Sequence, residues 1–492
     1  MFSDDRFPER RAASCGPCPA ACRKRWPGLY VAVSLFFAVP MPATADRAPE
    51  PDPTPIEFDL TLEDAIEIAL ERNQRLLDAR LDRRFDKFNL EAAEDTYRPR
   101  FGISSSFDFT EADSQKNDAS GTATARLNLP TGGAFTLGWT ENWSDEGPET
   151  WSQTTGFSQP LLKGAWLGIA NAPLRRALIT ERRNIIGFRR TVAQEVDNVI
   201  GAYRRLIQAI RRVRIDETSV QRAREQREAT RALIRAGRVA PREAVRSEAS
   251  IANRELSLAR SRNALDDANY TLIKLLEFGS TVRIRPLETL RIERRDAVVE
   301  PPFEEVLRNH PDFLLAMLTV ESAIIDEAVA RNGLLPDLDL RLSHGRDSSG
   351  GPSDYRVGLN ATIPLNDRAP SRAKARADYN LRKARRNLAE TRETIRRNLR
   401  QAVNSVEVNL RVSELARGAR ELAEENLEIE RMKFGQGLSS TFEVTASEDD
   451  LVRAEQAEID AIIGWLDALT NLDRTSGKTL ATWGIDLEAV AR

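Results

Sequence analysis

Cysteine is confined to Cys15, Cys18 and Cys22, and histidine to His310 and His344, in a chain of 492 residues. All three cysteines precede the apolar run Leu29–Val39. A chain cut after that run would have no thiol for a disulfide, a Cys-x-x-Cys metal site or a lipid anchor. His310 stands before Pro311 at a helix start and His344 ends a strand, so neither has a metal partner at ligand spacing. The chain has no complete Gly-x-x-x-x-Gly-Lys-Ser/Thr phosphate loop, since Gly477-Lys478-Thr479 has Leu472 where the first glycine would stand, it has no Gly-x-Ser-x-Gly elbow, and among 75 carboxylates no pair stands out. These absences argue against an enzyme, and nothing calls for a cofactor. The 72 basic and 75 acidic residues leave a net charge of -3, which gives no bulk field toward nucleic acid or acidic lipid. As a membrane anchor, Leu29–Val39 is far short of the roughly 20 residues a spanning helix needs.

What the N-terminus does have is Arg23-Lys24-Arg25, then the apolar run, then Ala43-Thr44-Ala45, the order of a secretory signal with small residues at its cleavage site. Residues 1–45 are read as a signal peptide, with the processed chain expected to begin near Asp46. A membrane anchor is the competing reading. Pro49, Pro51, Pro53 and Pro55 then mark an extended linker over 46–58. At 492 residues, 41% apolar and 30% charged, the chain is too long for one compact core and too charged for a polytopic helical membrane protein.

The chain repeats itself. An offset of 237 places Leu70 on Leu307, Ala93 on Ala330, Pro99 on Pro336, Phe101 on Leu338 and Ile103 on Leu340. Farther on, an offset of 200 places Gly237 on Gly437, Glu243 on Glu443, Ser247 on Ser447 and Leu272 on Leu472. Each half reads as a helix, a proline break, a strand region and long helices, over 59–294 and 295–492. The fall from 237 to 200 means that the first half holds 37 extra residues in or after its strand region.

The helical stretches are long. Val192, Val196, Val199, Tyr203, Leu206, Ile210 and Val213 recur at alternating steps of four and three, a heptad seam specifying a left-handed supercoil. A helix over about 165–236 would run about 105 Å. The second half carries a looser seam through Leu388, Ile395, Ala402, Val406 and Leu410. Long helices are expected over 165–278 and 370–475. On spacing alone, an ordinary antiparallel coiled-coil hairpin fits as well.

The strand regions, 101–160 and 337–365, are what a simple coiled coil lacks. Phe101, Ile103, Phe107 and Phe109 fall on one face of an alternating run, and Ala123, Ala125, Leu127 and Leu129 on one face of the next. Phe135, Leu137, Trp139, Trp143, Trp151 and Phe157 continue the pattern. In the second half Leu338, Leu340 and Leu342 are followed by a Ser-Ser-Gly-Gly turn and by Tyr355, Val357, Leu359, Ala361 and Ile363. Such segments are about the 9–11 residues that cross a bilayer as tilted strands. Trp139, Trp143 and Trp151 lie near strand ends, which suits a membrane interface. A soluble β-sandwich is the alternative. With no spanning helix, one-sided strands favour a closed barrel, and one chain has too few strands to close a useful pore, so it should oligomerise.

Several segments, in order, resemble the TolC-like outer membrane efflux protein family over nearly the whole processed chain. They are Leu60-Thr61-Leu62-Glu63-Asp64-Ala65, Ser158-Gln159-Pro160-Leu161-Leu162-Lys163-Gly164, Leu335-Pro336 before a strand, and Phe434 to Leu451 with Gly437, Ser439, Thr441, Phe442 and Glu443. The resemblance implies a mainly α protein with a membrane β-barrel portion. Three chains would share one twelve-stranded outer-membrane barrel, continued by a helical barrel across the periplasm. The implied activity is that of an exit duct in a tripartite efflux pump or type I secretion system. The implied partners are a periplasmic membrane-fusion adaptor, an inner-membrane pump of ABC, RND or MFS type and outer-membrane lipid, with no nucleic acid. It also implies adaptor-docking helix tips at Gly237, Arg238, Gly437 and Leu438, and a periplasmic gate at Phe434, Ser439 and Glu443. Ala446 and Ser439 depart from the gate residues the family leads one to expect. The first strand region has room for four strands where the simplest family pattern needs two. A periplasmic adaptor-like coiled-coil protein with a soluble β-domain is the competing reading of the whole chain.

Overall fold

The computed structural model describes residues 56–111, 115–144, 147–288 and 300–490. The expected signal peptide, its cysteines and the first ten residues of the linker lie outside them. Chain order begins with strand β1 (Ile56–Leu60), which pairs in parallel with β6 (Val282–Pro286). The linker expected to reach residue 58 therefore already contributes to a sheet from Ile56. Thr61 then caps helix α1 (Leu62–Arg72) through a capping box with Asp64, and Leu62, Ala65, Ile66 and Ala69 form its buried stripe.

Helix α2 (Gln74–Glu94) ends in a 3-10 turn over Asp95–Tyr97, and Pro99 precedes the strands β2 (Arg100–Glu111), β3 (Gln115–Asn128), β4 (Ala134–Ser144) and β5 (Thr150–Pro160). Short α3 (Leu167–Ala170) leads into α4 (Ala172–Arg235), which turns into α5 (Arg242–Leu275) and then β6. The second half repeats the order with α6 (Phe303–Asn309), α7 (Pro311–Asn332), β7 (Asp337–Asp347), β8 (Asp354–Thr362), α8 (Ala369–Gln436) and α9 (Thr441–Ser476). Short α10 (Thr479–Thr482) and α11 (Leu487–Val490) close the described chain.

Helices α4 and α8 have 64 and 68 residues, so each is about 100 Å long. Each folds back on its successor, α4 on α5 and α8 on α9. Along α4 the seam residues Val192, Val196, Val199, Tyr203, Leu206 and Val213 are all buried. On α8, Ile395, Ala402 and Val406 are buried against Val306, Trp465 and Leu472. The core is thickest where the two halves meet β1 and β6. There Leu60, Ile200, Tyr203, Leu272 and Leu276 are almost fully enclosed, and the Tyr203 hydroxyl donates to the Leu60 carbonyl at 2.9 Å. Arg83 of α2 and Glu181 of α4 form a buried ion pair.

The other strands make one antiparallel sheet in the order β2-β3-β4-β5-β7-β8. All four strands of the first half belong to it, together with the two of the second. Register aligns their faces, because directly paired residues share a face. One row runs Leu127, Phe135, Phe157, Leu342, Val357 across β3 to β8. The next row, on the opposite face, runs Arg100, Arg126, Thr136, Gly156, Ser343, Arg356. Trp139 and Trp151 stack on the apolar side with ring centroids 5.0 Å apart. No helix among the described residues is long and apolar enough to cross a membrane.

Candidate helix-tip entrance

Both long hairpins turn by the same local device. Gly237 follows α4 with φ +72° and Gly437 follows α8 with φ +78°, a left-handed conformation that a side chain resists. At the first tip the Gly237 and Arg238 amides donate to the Ile234 and Leu233 carbonyls at 2.9 Å each. At the second, the Gly437 and Leu438 amides donate to Phe434 and Lys433 at 2.9 and 2.8 Å. These are Schellman caps, which satisfy the last carbonyls of a helix while reversing the chain.

The expected docking residues come together. A guanidinium nitrogen of Arg238, on the first tip, donates to the Gln436 carbonyl of the second at 3.0 Å. The Thr441 hydroxyl donates to the Glu243 carboxylate, a bond that is the largest influence holding that group below the usual range. Arg246 lies over the Phe442 ring at 5.7 Å from its centroid. Leu438 is exposed beside these links.

Of the expected gate residues, Ser439 and Glu443 are neighbours and Phe434 stands apart. The Ser439 hydroxyl lies 2.7 Å from a Glu430 carboxylate oxygen and 3.1 Å from one of Glu443, with its single proton shared between them. Glu443 closes a capping box at the start of α9, accepting from the Ser440 amide at 3.1 Å while its own amide donates to the Ser440 hydroxyl. The Ser440 amide is the first cause, and the Ser439 hydroxyl the second, of a lowered Glu443 pKa. Glu443 is therefore an ionised, exposed cap. Phe434 is buried between hairpins with Leu427, Val444, Leu451 and Leu233, so in this conformation it packs the tip rather than lining an opening. Ala446 is half-buried on α9.

A charged group that no sequence motif marks lies further up the hairpins. Glu448 of α9 is buried and receives Arg431 of α8 at 3.0 Å and Arg222 of α4 at 3.6 Å. Arg222 also reaches Glu455 at 3.3 Å. Arg254 of α5 bonds Ser219 and reaches Asp449 at 3.0 Å. Burial raises the Glu448 pKa, and the three arginines only partly offset it. The group ties all four long helices together. Its signal in sequence is a carboxylate on the apolar side of α9, at Glu448, flanked by Val444 and Leu451.

The two histidines have structural partners. His310 caps α7, its Nδ1 accepting from the Asp312 amide at 3.2 Å, and burial lowers its pKa. The His344 ring lies against Tyr355 at 4.6 Å between centroids. No cluster of three or more His, Cys, Asp or Glu side chains with metal-binding geometry occurs among the described residues.

Direct sequence comparison with curated proteins finds no match. Residues 303–478, from α6 through the end of α9, match the family described as outer membrane efflux protein. Among solved structures, the CmeC outer membrane channel of Campylobacter jejuni is similar with a TM-score of 0.68 at 15% identity, over 88% of this chain and 89% of that one. The outer membrane protein VceC of Vibrio cholerae gives 0.65 at 15% identity, over 85% and 96%. The open state of the MtrE outer membrane channel of Neisseria gonorrhoeae gives 0.63 at 16% identity, over 85% and 89%. The chain therefore has the fold of the solved outer membrane channels and carries, over residues 303–478, a domain of the outer membrane efflux protein family.

Proposed function

We propose that this chain is an outer-membrane exit duct of a tripartite efflux pump or type I secretion system, working as a homotrimer. The observation that carries the reading is the union, in one chain, of a sheet with an exposed apolar face and two helical hairpins built on helices about 100 Å long. In lipid an open sheet must close on other copies to satisfy its edges, and the helices then extend that wall into the periplasm. Transport, not catalysis, is the role this architecture serves.

The glycine tips, with Arg238 and Leu438 at their surface, are the surface for a periplasmic adaptor, through which the duct meets an inner-membrane pump. Ser439 and Glu443 stand at the same end of the hairpins. Three copies would bring three Glu443 carboxylates near one axis as a ring that attracts cations. Phe434 supports that ring from inside the hairpin.

Two experiments test the reading together. Membrane fractionation should place the protein with outer membranes as a heat-modifiable trimer, whereas recovery in the soluble or inner-membrane fraction would favour an adaptor. A clean deletion should raise sensitivity to members of a panel of toxic compounds or alter the set of secreted proteins. Unchanged tolerance with an unchanged secretome would contradict the exit-duct role.

A further inference from the structure

Among the described residues the antiparallel sheet has six strands, more than the four per chain that the resemblance implies, and the surplus is the pair β3 and β4. Two observations say that this pair is wall and not an appendage. First, it sits in the middle of the hydrogen-bonded order, between β2 and β5, so β2 is connected to the rest of the sheet only through it. Second, its side chains keep the faces of their neighbours in phase. Ala123, Ala125 and Leu127 pair with Trp139, Leu137 and Phe135, while Thr122 and Thr124 pair with Thr140 and Gly138 on the other side. A hairpin standing in water on both faces would have no reason to keep this alternation.

Among the described residues the sheet ends at β2 and β8, neither of which has a second partner there. Apolar side chains of these edge strands are far more exposed than those inside. Phe101, Ile103, Phe107, Tyr355, Val357 and Leu359 are 68% to 90% exposed, whereas Phe135, Leu137, Trp139, Trp143 and Leu342 are 38% to 44% exposed. The difference is what a missing neighbouring strand leaves. Five antiparallel pairings separate β2 from β8, so the two edges run in opposite directions. Joining β8 of one copy to β2 of the next continues the antiparallel pattern without a fault, and can keep the apolar faces on one side.

We propose that every copy supplies all six strands to the barrel, that β2 and β8 form the seams between copies, and that the trimer closes an eighteen-stranded wall. The count of eighteen rests on the trimeric reading above, and the placement of β3 and β4 in the wall does not. With strands about 4.8 Å apart and tilted about 40°, eighteen strands give a backbone diameter of about 36 Å, against about 24 Å for twelve. The membrane section would then be about 1.5 times wider than a twelve-stranded one, leaving selection to the helix tips.

The test uses the full chain with Cys15, Cys18 and Cys22 changed to serine and single cysteines placed at Thr122→Cys, Thr140→Cys, Ala123→Cys and Leu137→Cys. A water-soluble, membrane-impermeant maleimide applied to outer-membrane preparations should label the first two at least ten times faster than the last two. Equal, rapid labelling of all four would place the hairpin in water and overturn the proposal. Native mass spectrometry of the purified protein with a cryo-electron microscopy strand count gives the second arm. Three copies with eighteen strands support the proposal, and three copies with twelve overturn it while leaving the trimeric duct intact. A copy number other than three would overturn the trimeric reading and the count of eighteen with it, and the labelling would still judge the hairpin.

Discussion

Changing Asp197 to asparagine should stabilise the protein at neutral pH and do almost nothing in acid. Asp197 lies on α4 facing α9 and the start of α7, in a pocket of about 240 Å³ lined also by Arg189, Arg190, His310, Asp312 and Arg474. Its Oδ1 is buried with no hydrogen-bond partner among the described residues. Burial pushes its pKa from 3.8 up to about 6; Arg474 and Arg204 pull it down and Asp473 pushes it up. A carboxyl group whose pKa is raised by folding imposes no penalty below its unfolded value. The penalty grows as pH rises through about 4 to 6 and is complete above. At roughly 1.4 kcal/mol per pKa unit the full cost is of order 3 kcal/mol, and relaxation around the arginines reduces what is realised. Asparagine cannot ionise, so Asp197→Asn should gain about 1–3 kcal/mol at pH 7.5 and under about 0.5 kcal/mol at pH 4. Denaturant unfolding of the helical signal in detergent, run at both pH values on wild type and variant, reads this difference. An equal effect at both pH values, or destabilisation at pH 7.5, would refute the argument that burial dominates there.

Neighbouring glycines at the second tip should respond with opposite sign. Gly437→Ala forces a side chain into φ +78° and should cost about 1–2 kcal/mol. Gly435→Ala lies inside α8 with open space for the new methyl group and should gain about 0.5–1 kcal/mol; thermal melting of the two variants separates them. Ser440→Ala removes half of the α9 capping box and should cost about 1 kcal/mol, seen as faster amide exchange over the first turn of α9. Tyr203→Phe loses the 2.9 Å bond to the Leu60 carbonyl, and should cost about 1 kcal/mol by the same unfolding assay, since Leu287 still donates to that carbonyl.

The features most legible in sequence were those whose physics is local or periodic. A heptad seam declares its buried face by spacing alone, and every member from Val192 to Val213 is buried except Ile210, which is half-buried against the same core. The tip glycines were legible because reversing a helix calls for a positive φ. Strand faces were legible from alternation, but the order of strands in the sheet was not, since alternation says nothing about which neighbour a strand takes. Ile56–Leu60 was hidden by the prolines before it, because its pairing partner lies more than 200 residues away. Glu443 carries charge at the hairpin tip, and its spacing from Ser440 also spells a capping box. The Glu448 cluster needs four helices side by side, so no stretch of one helix reveals it. Phe434 packs in the hairpin core with Leu427, Val444 and Leu451, a placement that no single-helix pattern shows.

An exit duct requires that the assembled chain make a water-filled path through a membrane. Purified full-length protein added to one side of a planar lipid bilayer measures this directly. Stepwise, long-lived increases in ionic current of a single unit size, absent with heat-dissociated protein, are the predicted result. Protein that stays in water without detergent and leaves the bilayer current unchanged would contradict the exit duct.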